Sequence, residues 1–357
     1  MATRRLKVTV ILGLALALGA VCQAGDWSGS LPDRYPIMRP DRATIERWIE
    51  AYESAPRAVQ AGEGGALPAR GSVSLLDRLD YVPGQRNQAS CGNCWVWAGT
   101  GALGIALDVA GIHDRLSIQL LNSCWSGGWA CCGGWLSDLA GFYTSDTTAA
   151  VPWSNAGASW QDAGRSCNDG SSSVACGAIS TTPDYPISSI DDVTVTTQGV
   201  SQANAIANIK ALLDQDRAVW FAFYLADDAD WGVFYDHWNY SLESAIWDPD
   251  YSCGHTWVDG EGGGHAVLVV GYDDDDPDPA NHSWLVLNSW GTAGGGRPNG
   301  VFRMAMDMDY GCTYQYYGYP YYSLYFQALD VVFEGGGQIF SSGFESGDAS
   351  EWDGQAP

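Results

Sequence analysis

The sequence predicts an α+β protein, helical in its first half and antiparallel β in its second, and three observations carry that reading. From Cys94 to about Val109 the residues are apolar on every side and include no proline, the pattern of a buried helix. Helical spacings recur at 117–123, 135–143 and 201–214, the last with Ile206, Ile209, Leu212 and Leu213 on one side. After Asp216 the pattern changes to β runs: AVWFAFYL from Ala218, HAVLVVGY from His265, SWLVLNSW from Ser283, GVFRM from Gly300 and SLYFQALDVVF from Ser323. No internal repeat is visible. With 357 residues, 46% of them hydrophobic, the chain can bury a full core as one large domain or two lobes.

Taken in order, the chain opens with Arg4, Arg5 and Lys7 before an apolar run from Val8 to Val21 and the small-residue stretch ending at Ala24. That is the pattern of a signal peptide over 1–24, too short for a membrane span. Cys22 fits a lipid anchor poorly, because Val21 before it is bulky. Residues 25–71 read as a leader with one amphipathic helix: Ile45, Trp48, Ile49 and Tyr52 fall at helical spacing, Pro40 and Asp41 suit its start, and Pro56 ends it. The stretch 62–71 then has linker composition. Residues 227–264 are rich in Trp, Tyr and acids without a clear period and read as a long insertion, its aromatics packing the loop on itself in the favoured reading and lining a binding site in the other. The tail, 334–357, is rich in Gly, Ser and acids and is expected to be disordered. Its GFESGD stretch is similar to short tails of secreted bacterial proteins, which points to a bacterial member and assigns no role.

The formal charge of −25 becomes more negative still once the three basic residues of 1–24 leave. Such a chain repels phosphate backbones, so nucleic acid is excluded as a partner. Export predicts disulfides. Of ten cysteines Cys22 leaves with the signal, and an odd number stays, so one thiol is left unpaired or intermolecular. Zinc is disfavoured, since the CxxC pair Cys91 and Cys94 has only the vicinal Cys131 and Cys132 to complete a site. No metal and no cofactor is expected. Calcium at Asp273–Asp276 and Asp278 is the weaker reading, because acid-rich hairpin loops are usually solvated faces.

The free thiol is assigned to Cys94 within NQASCGNCWVWAGT, Asn87 to Thr100. There it starts the buried helix, where unpaired N–H groups and the helix dipole favour an anion and lower a thiol's pKa. Gln88, six residues upstream, can return a side-chain N–H and form an oxyanion hole with the Cys94 N–H. A thiolate nucleophile needs a histidine, and only His265 of the five opens a strand. If Tyr272 pairs with Ser283 across the following hairpin, Asn288 lies opposite Val267, two positions from His265 and within reach of its ring.

The segments around Cys94, His265 and Asn288 resemble the nucleophile, histidine and asparagine regions of the papain family, with Asn93 where that pattern has Ser or Ala. LSIQLLNSC (Leu116–Cys124) and CCGGW (Cys131–Trp135) look like two further family segments. The resemblance covers about residues 72–320 in family order. It implies a papain-like two-lobed fold over 72–333, with a helical N-terminal lobe, an antiparallel β-barrel-like C-terminal lobe and the active site between them. It implies a thiol protease in which Cys94 attacks, His265 is base and acid, Asn288 orients it, Gln88 serves the oxyanion, Trp290 shields the His–Asn hydrogen bond, and Gly133 and Gly134 offer backbone to an extended substrate. Cys94 and His265 lie further apart than the roughly 130–150 residues usual for such enzymes, the excess falling in 227–264. Cys253 and Cys312 pair as a family pair does; Cys91 joins Cys131 or Cys132, and Cys124 joins Cys167 or Cys176. Removal of the leader is slightly favoured over its staying docked, although it does not match the family's long helical propeptide. The expected product is a secreted, monomeric cysteine endopeptidase acting on proteins or peptides, with no membrane partner after signal cleavage. A non-catalytic peptide- or carbohydrate-binding protein on the same scaffold is the alternative.

Overall fold

The computed structural model describes residues 35–59 and 71–334. The signal peptide, most of the linker and the acidic tail lie outside these residues. Six helices form: α1 (Arg42–Ser54), α2 (Cys94–Val109), α3 (Gln119–Cys124), α4 (Leu136–Ser145), α5 (Gln202–Leu213) and α6 (Asp228–Tyr240). The strands are β1 (Ser72–Ser74), β2 (Ala149–Ala150), β3 (Tyr185–Thr194), β4 (Val219–Leu225), β5 (Ile246–Trp247), β6 (Gly263–Asp273), β7 (Ser283–Leu287), β8 (Val301–Ala305), β9 (Thr313–Tyr316), β10 (Tyr319–Tyr322) and β11 (Leu324–Phe333).

Nine strands join one mainly antiparallel sheet in the order β2-β3-β11-β4-β6-β7-β8-β5, with β1 added on β6, and β9 and β10 form a separate hairpin. The order is an open path, so the barrel-like second lobe is not a closed barrel. The fold is two-lobed, papain-like and mixed in helix and strand, with Cys94 on the helical lobe and His265 on the sheet. No helix among the described residues is long and apolar enough to cross a membrane.

Local chemistry explains the boundaries. Asp41 caps α1 by accepting the Thr44 N–H at 2.8 Å, and Ala55, extended ahead of Pro56, ends it. Ser201 caps α5 and Asp227 caps α6 in the same way. Thirteen of the sixteen residues of α2 are buried. Its glycines admit neighbours: a Cβ on Gly99 would lie 2.4 Å from Leu139 Cδ1. Every residue of β4 is buried and nearly all of β6, because these central strands are covered on both faces.

Two expectations need correction. The segment 227–264 is not aperiodic: it contains α6, which buries Trp231, Phe234 and Trp238 at spacings of three and four. The hairpin register is also one residue off at its loop end, where Tyr272 faces Trp284 and Asp273 faces Ser283. An irregularity between Val269 and Gly271 absorbs one residue, and below it Leu268 faces Leu287, so Asn288 still follows into the register expected beside His265.

Candidate active site

Cys94 is the first residue of α2, and His265 and Ala266 lie near the start of β6. The Ala266 N–H donates to Cys94 Sγ at 3.4 Å, which fixes the sulfur against the His265–Ala266 peptide. His265 Nε2 donates to Asn288 Oδ1 at 2.8 Å, and the same oxygen accepts the Ser289 N–H at 2.7 Å. The other ring nitrogen, Nδ1, is buried without a partner and is the one left for the thiol. Trp290 stacks on His265 with centroids 4.3 Å apart.

Gln88 is fully buried and held from three sides. Its Oε1 accepts the Ser289 hydroxyl at 2.6 Å, its backbone N–H reaches Ser289 O, and its Nε2 donates to Cys91 O at 2.8 Å. The remaining Nε2 proton donates to Pro36 O at 3.0 Å. The leader thus places a carbonyl on the amide expected to receive an oxyanion. Tyr35 stacks on the outer face of Trp290 at 4.6 Å, Tyr235 donates its hydroxyl to Tyr35 O at 3.1 Å, and Met38 exchanges two backbone hydrogen bonds with Gly264, each 2.8 Å. A Cβ on Gly133, whose φ is +101°, would lie 3.2 Å from both Met38 and Trp48. Gly134 has another reason to lack a side chain, since a Cβ there would lie 2.5 Å from Trp95.

This cover decides the electrostatics. Burial pushes the Cys94 thiol up to about 12 against the lowering effect of backbone N–H groups from Ala266, Trp95 and Cys94. Burial also pushes the His265 imidazole down to about 3, outweighing its bond to Asn288. Both shifts act in the direction of the neutral forms. The helix-terminus argument for a low thiol pKa omitted desolvation, which is the larger effect here.

The cysteines pair as Cys91–Cys131, Cys124–Cys176, Cys132–Cys167 and Cys253–Cys312, leaving Cys94 unpaired among the described residues. In the acidic run, Asp274 is bound by Lys210 at 2.5 Å and Asp273 by Arg303 at 3.1 Å, so two of its carboxylates are engaged by cations of the protein. The role of Tyr35–Met38 was not read from the sequence, and neither was Ser289 as the group that holds Gln88. The only local signal for the first is the extended YPIM stretch ahead of the Asp41 cap.

Residues 76–319 match the papain family cysteine protease pattern. The chain belongs to this family. A cathepsin B-like protein, CP2, of Giardia intestinalis is 28% identical over 290 residues, which cover 78% of this chain and 83% of that one. Digestive cysteine proteinase 3 of Homarus americanus is 26% identical and covers 76% and 71% of the two chains. Digestive procathepsin L2 from the larval midgut of Tenebrio molitor shares the fold, with a TM-score of 0.50 at 18% identity over 77% of this chain and 74% of that one. This papain-family cysteine peptidase therefore carries its buried thiol within the matched region, whereas Tyr35–Met38 and α1 precede that region.

Proposed function

We propose that this papain-family protease is a secreted, monomeric endopeptidase that cleaves peptide bonds through a thioester on Cys94, and that the covered form is its latent state. The observation that carries the reading is the Pro36 carbonyl, hydrogen-bonded to Gln88 beside the thiol and the His265–Asn288 pair. In the open enzyme His265 Nδ1 takes the Cys94 proton, and the thiolate attacks the substrate carbonyl. The oxyanion is held by Gln88 Nε2 and the Cys94 N–H in place of the Pro36 oxygen. His265 then protonates the leaving amine, and water, deprotonated by the same ring, releases the acid. Asn288 keeps the ring in the productive tautomer, Trp290 keeps water from that bond, and Gly133 and Gly134 offer backbone to the substrate. Activity follows a bell-shaped pH profile, because thiolate and imidazolium must coexist.

The same reading divides the chain into a signal peptide (1–24), a leader (25–71) whose docked part blocks the cleft, a peptidase domain (72–333) and a tail (334–357). Export is supported by the four disulfides, which persist in oxidising compartments. Iodoacetamide labelling with mass mapping is the test. Chain beginning at residue 72 should label at Cys94 and hydrolyse peptides, while chain that retains 25–71 should do both far more slowly. Equal rates would overturn the latency, and peptidase activity in Cys94→Ala would overturn the nucleophile.

A further inference from the structure

A second buried polar centre lies outside the cleft. Arg86 is 5% exposed, yet its guanidinium meets no carboxylate within ion-pair distance among the described residues. Its Nε donates to Asn288 O at 3.1 Å and its Nη2 to Trp97 O at 2.8 Å. Gly101 permits this approach, since a Cβ there would come within 3.3 Å of Nη2. Burial holds the Arg86 guanidinium down at about 10, and the like charge of Arg115 acts in the same direction. It is still protonated at neutral pH, and a buried cation of this kind calls for a counter-charge.

Both arginines line one cavity of about 20 Å³, together with Trp97, Thr100, Gly101 and Asp80 among others. That is room for a single particle the size of a water molecule or a halide. Arg115 donates to Gln85 Oε1 at 2.5 Å, lies over the Trp153 ring at 3.5 Å and is half-buried; it makes no ion pair among the described residues, although the Asp80 charge acts on it. Thr100 Oγ1 and Trp97 Nε1 are buried donors without a hydrogen-bond partner. The one carboxylate in the wall, Asp80, is exposed to solvent. Donors and positive charge thus dominate a space of halide size.

We propose that this cavity binds one monatomic anion of chloride size, held between Arg86 and Arg115 as their counter-ion. Water would satisfy the Thr100 hydroxyl equally well, but it would bring no counter-charge to Arg86, which makes no ion pair among the described residues, whereas Arg115 already has the charge of the exposed Asp80 acting on it. The anion fixes Arg86, which in turn ties the fourth residue of α2 to the carbonyl of Asn288. Its binding does not depend on the catalytic roles proposed above, so the two readings can fail separately.

The test uses the full chain. At constant ionic strength, chloride replacing gluconate should raise the unfolding temperature along a saturating curve, and crystals grown in bromide should show an anomalous peak in the cavity between Arg86 and Arg115. Thr100→Val should raise the half-saturating chloride concentration by roughly tenfold, as expected for loss of one hydrogen bond to a charged group. Absence of the bromide peak would overturn the proposal. So would a chloride response that never saturates, or one unchanged in Thr100→Val. If that variant fails to fold, the bromide crystal of the unaltered protein decides alone.

Discussion

Two helices meet at the cleft in opposite ways. α2 buries thirteen of its sixteen residues and carries the thiol at its first position, so it is part of the core. α1 buries only Ile45, Trp48 and Tyr52. Trp48 stacks on Trp135 at 5.7 Å, and Tyr52 meets Tyr325 edge-on at 5.0 Å. Its exposed side is tied by Glu46, which receives the Arg42 Nε–H at 2.8 Å and the Tyr321 hydroxyl at 3.0 Å. Helix α2 cannot leave without unfolding the protein, whereas α1 is held by one apolar stripe, the Glu46–Tyr321 bond and the backbone bonds of Pro56 and Ala58 to Thr194 just beyond it. The first kind of packing carries the thiol, and the second is the kind the proposed latency requires.

Substitutions at the two helices should therefore have opposite consequences. Cys94→Ala should remove all hydrolysis while leaving the circular dichroism spectrum and melting behaviour of the folded chain in place; a collapse of structure would mean that the position is structural. Gln88→Ala in the opened enzyme should lower turnover by about a hundredfold to a thousandfold, the usual effect of losing one oxyanion donor. Asn288→Ala should retain measurable turnover, because it removes orientation and leaves the reacting groups. On the other helix, Trp48→Ala should accelerate Cys94 alkylation in the full chain by roughly a hundredfold, as loss of a large apolar contact frees the cover. An unchanged alkylation rate would show that α1 does not hold Tyr35–Met38 down.

The smallest effect concerns pH. The folded-state value of His265 lies below its ordinary 6.5, at about 3, so its contribution to stability is present above 6.5 and is lost as pH falls toward 3. In urea unfolding of the covered chain, the stability difference between the native protein and His265→Ala should shrink by about 2 kcal/mol between pH 7 and pH 5. The thiol has the opposite sign, with a contribution kept below 9 and lost toward 12. A flat difference across pH 5 to 7 would mean that the ring is already hydrated in the covered state.

The elements legible in the sequence were those fixed by their own neighbours. Helix α2 was read to the residue because its apolar run is unbroken, and β4, β6, β7 and β11 because their apolar runs are bounded by polar loops. Helix α6 was missed because Asp227, Asp228, Asp230 and Asp236 and the aromatics between them mask the three buried positions. The register slip followed from an irregularity next to Val270, which no local pattern announces. Around the site, the positions of Cys94, His265, Asn288 and Gln88 could be named in advance, whereas their charge states could not. Those follow from burial in the assembled fold, to which sequence-distant contacts such as Tyr35–Met38 with Gly264 and Trp290 belong. The choice among disulfide partners was open for the same reason, and the structure resolves it by joining Cys132 to Cys167.

The cover and the domain it closes are linked through residues 60–70. While that link is intact, the blocking segment is present at a fixed local concentration, however dilute the protein becomes. On the latent reading, a single cut there converts an intramolecular closure into a bimolecular complex, whose interface includes Tyr35–Met38, Arg39 on Gly260 and Glu261, the apolar stripe and Glu46 of α1, and the Pro56 and Ala58 backbone on Thr194. On that reading occupancy of the cleft depends on how much protein surrounds it, and dilution into a large volume is expected to expose the thiol.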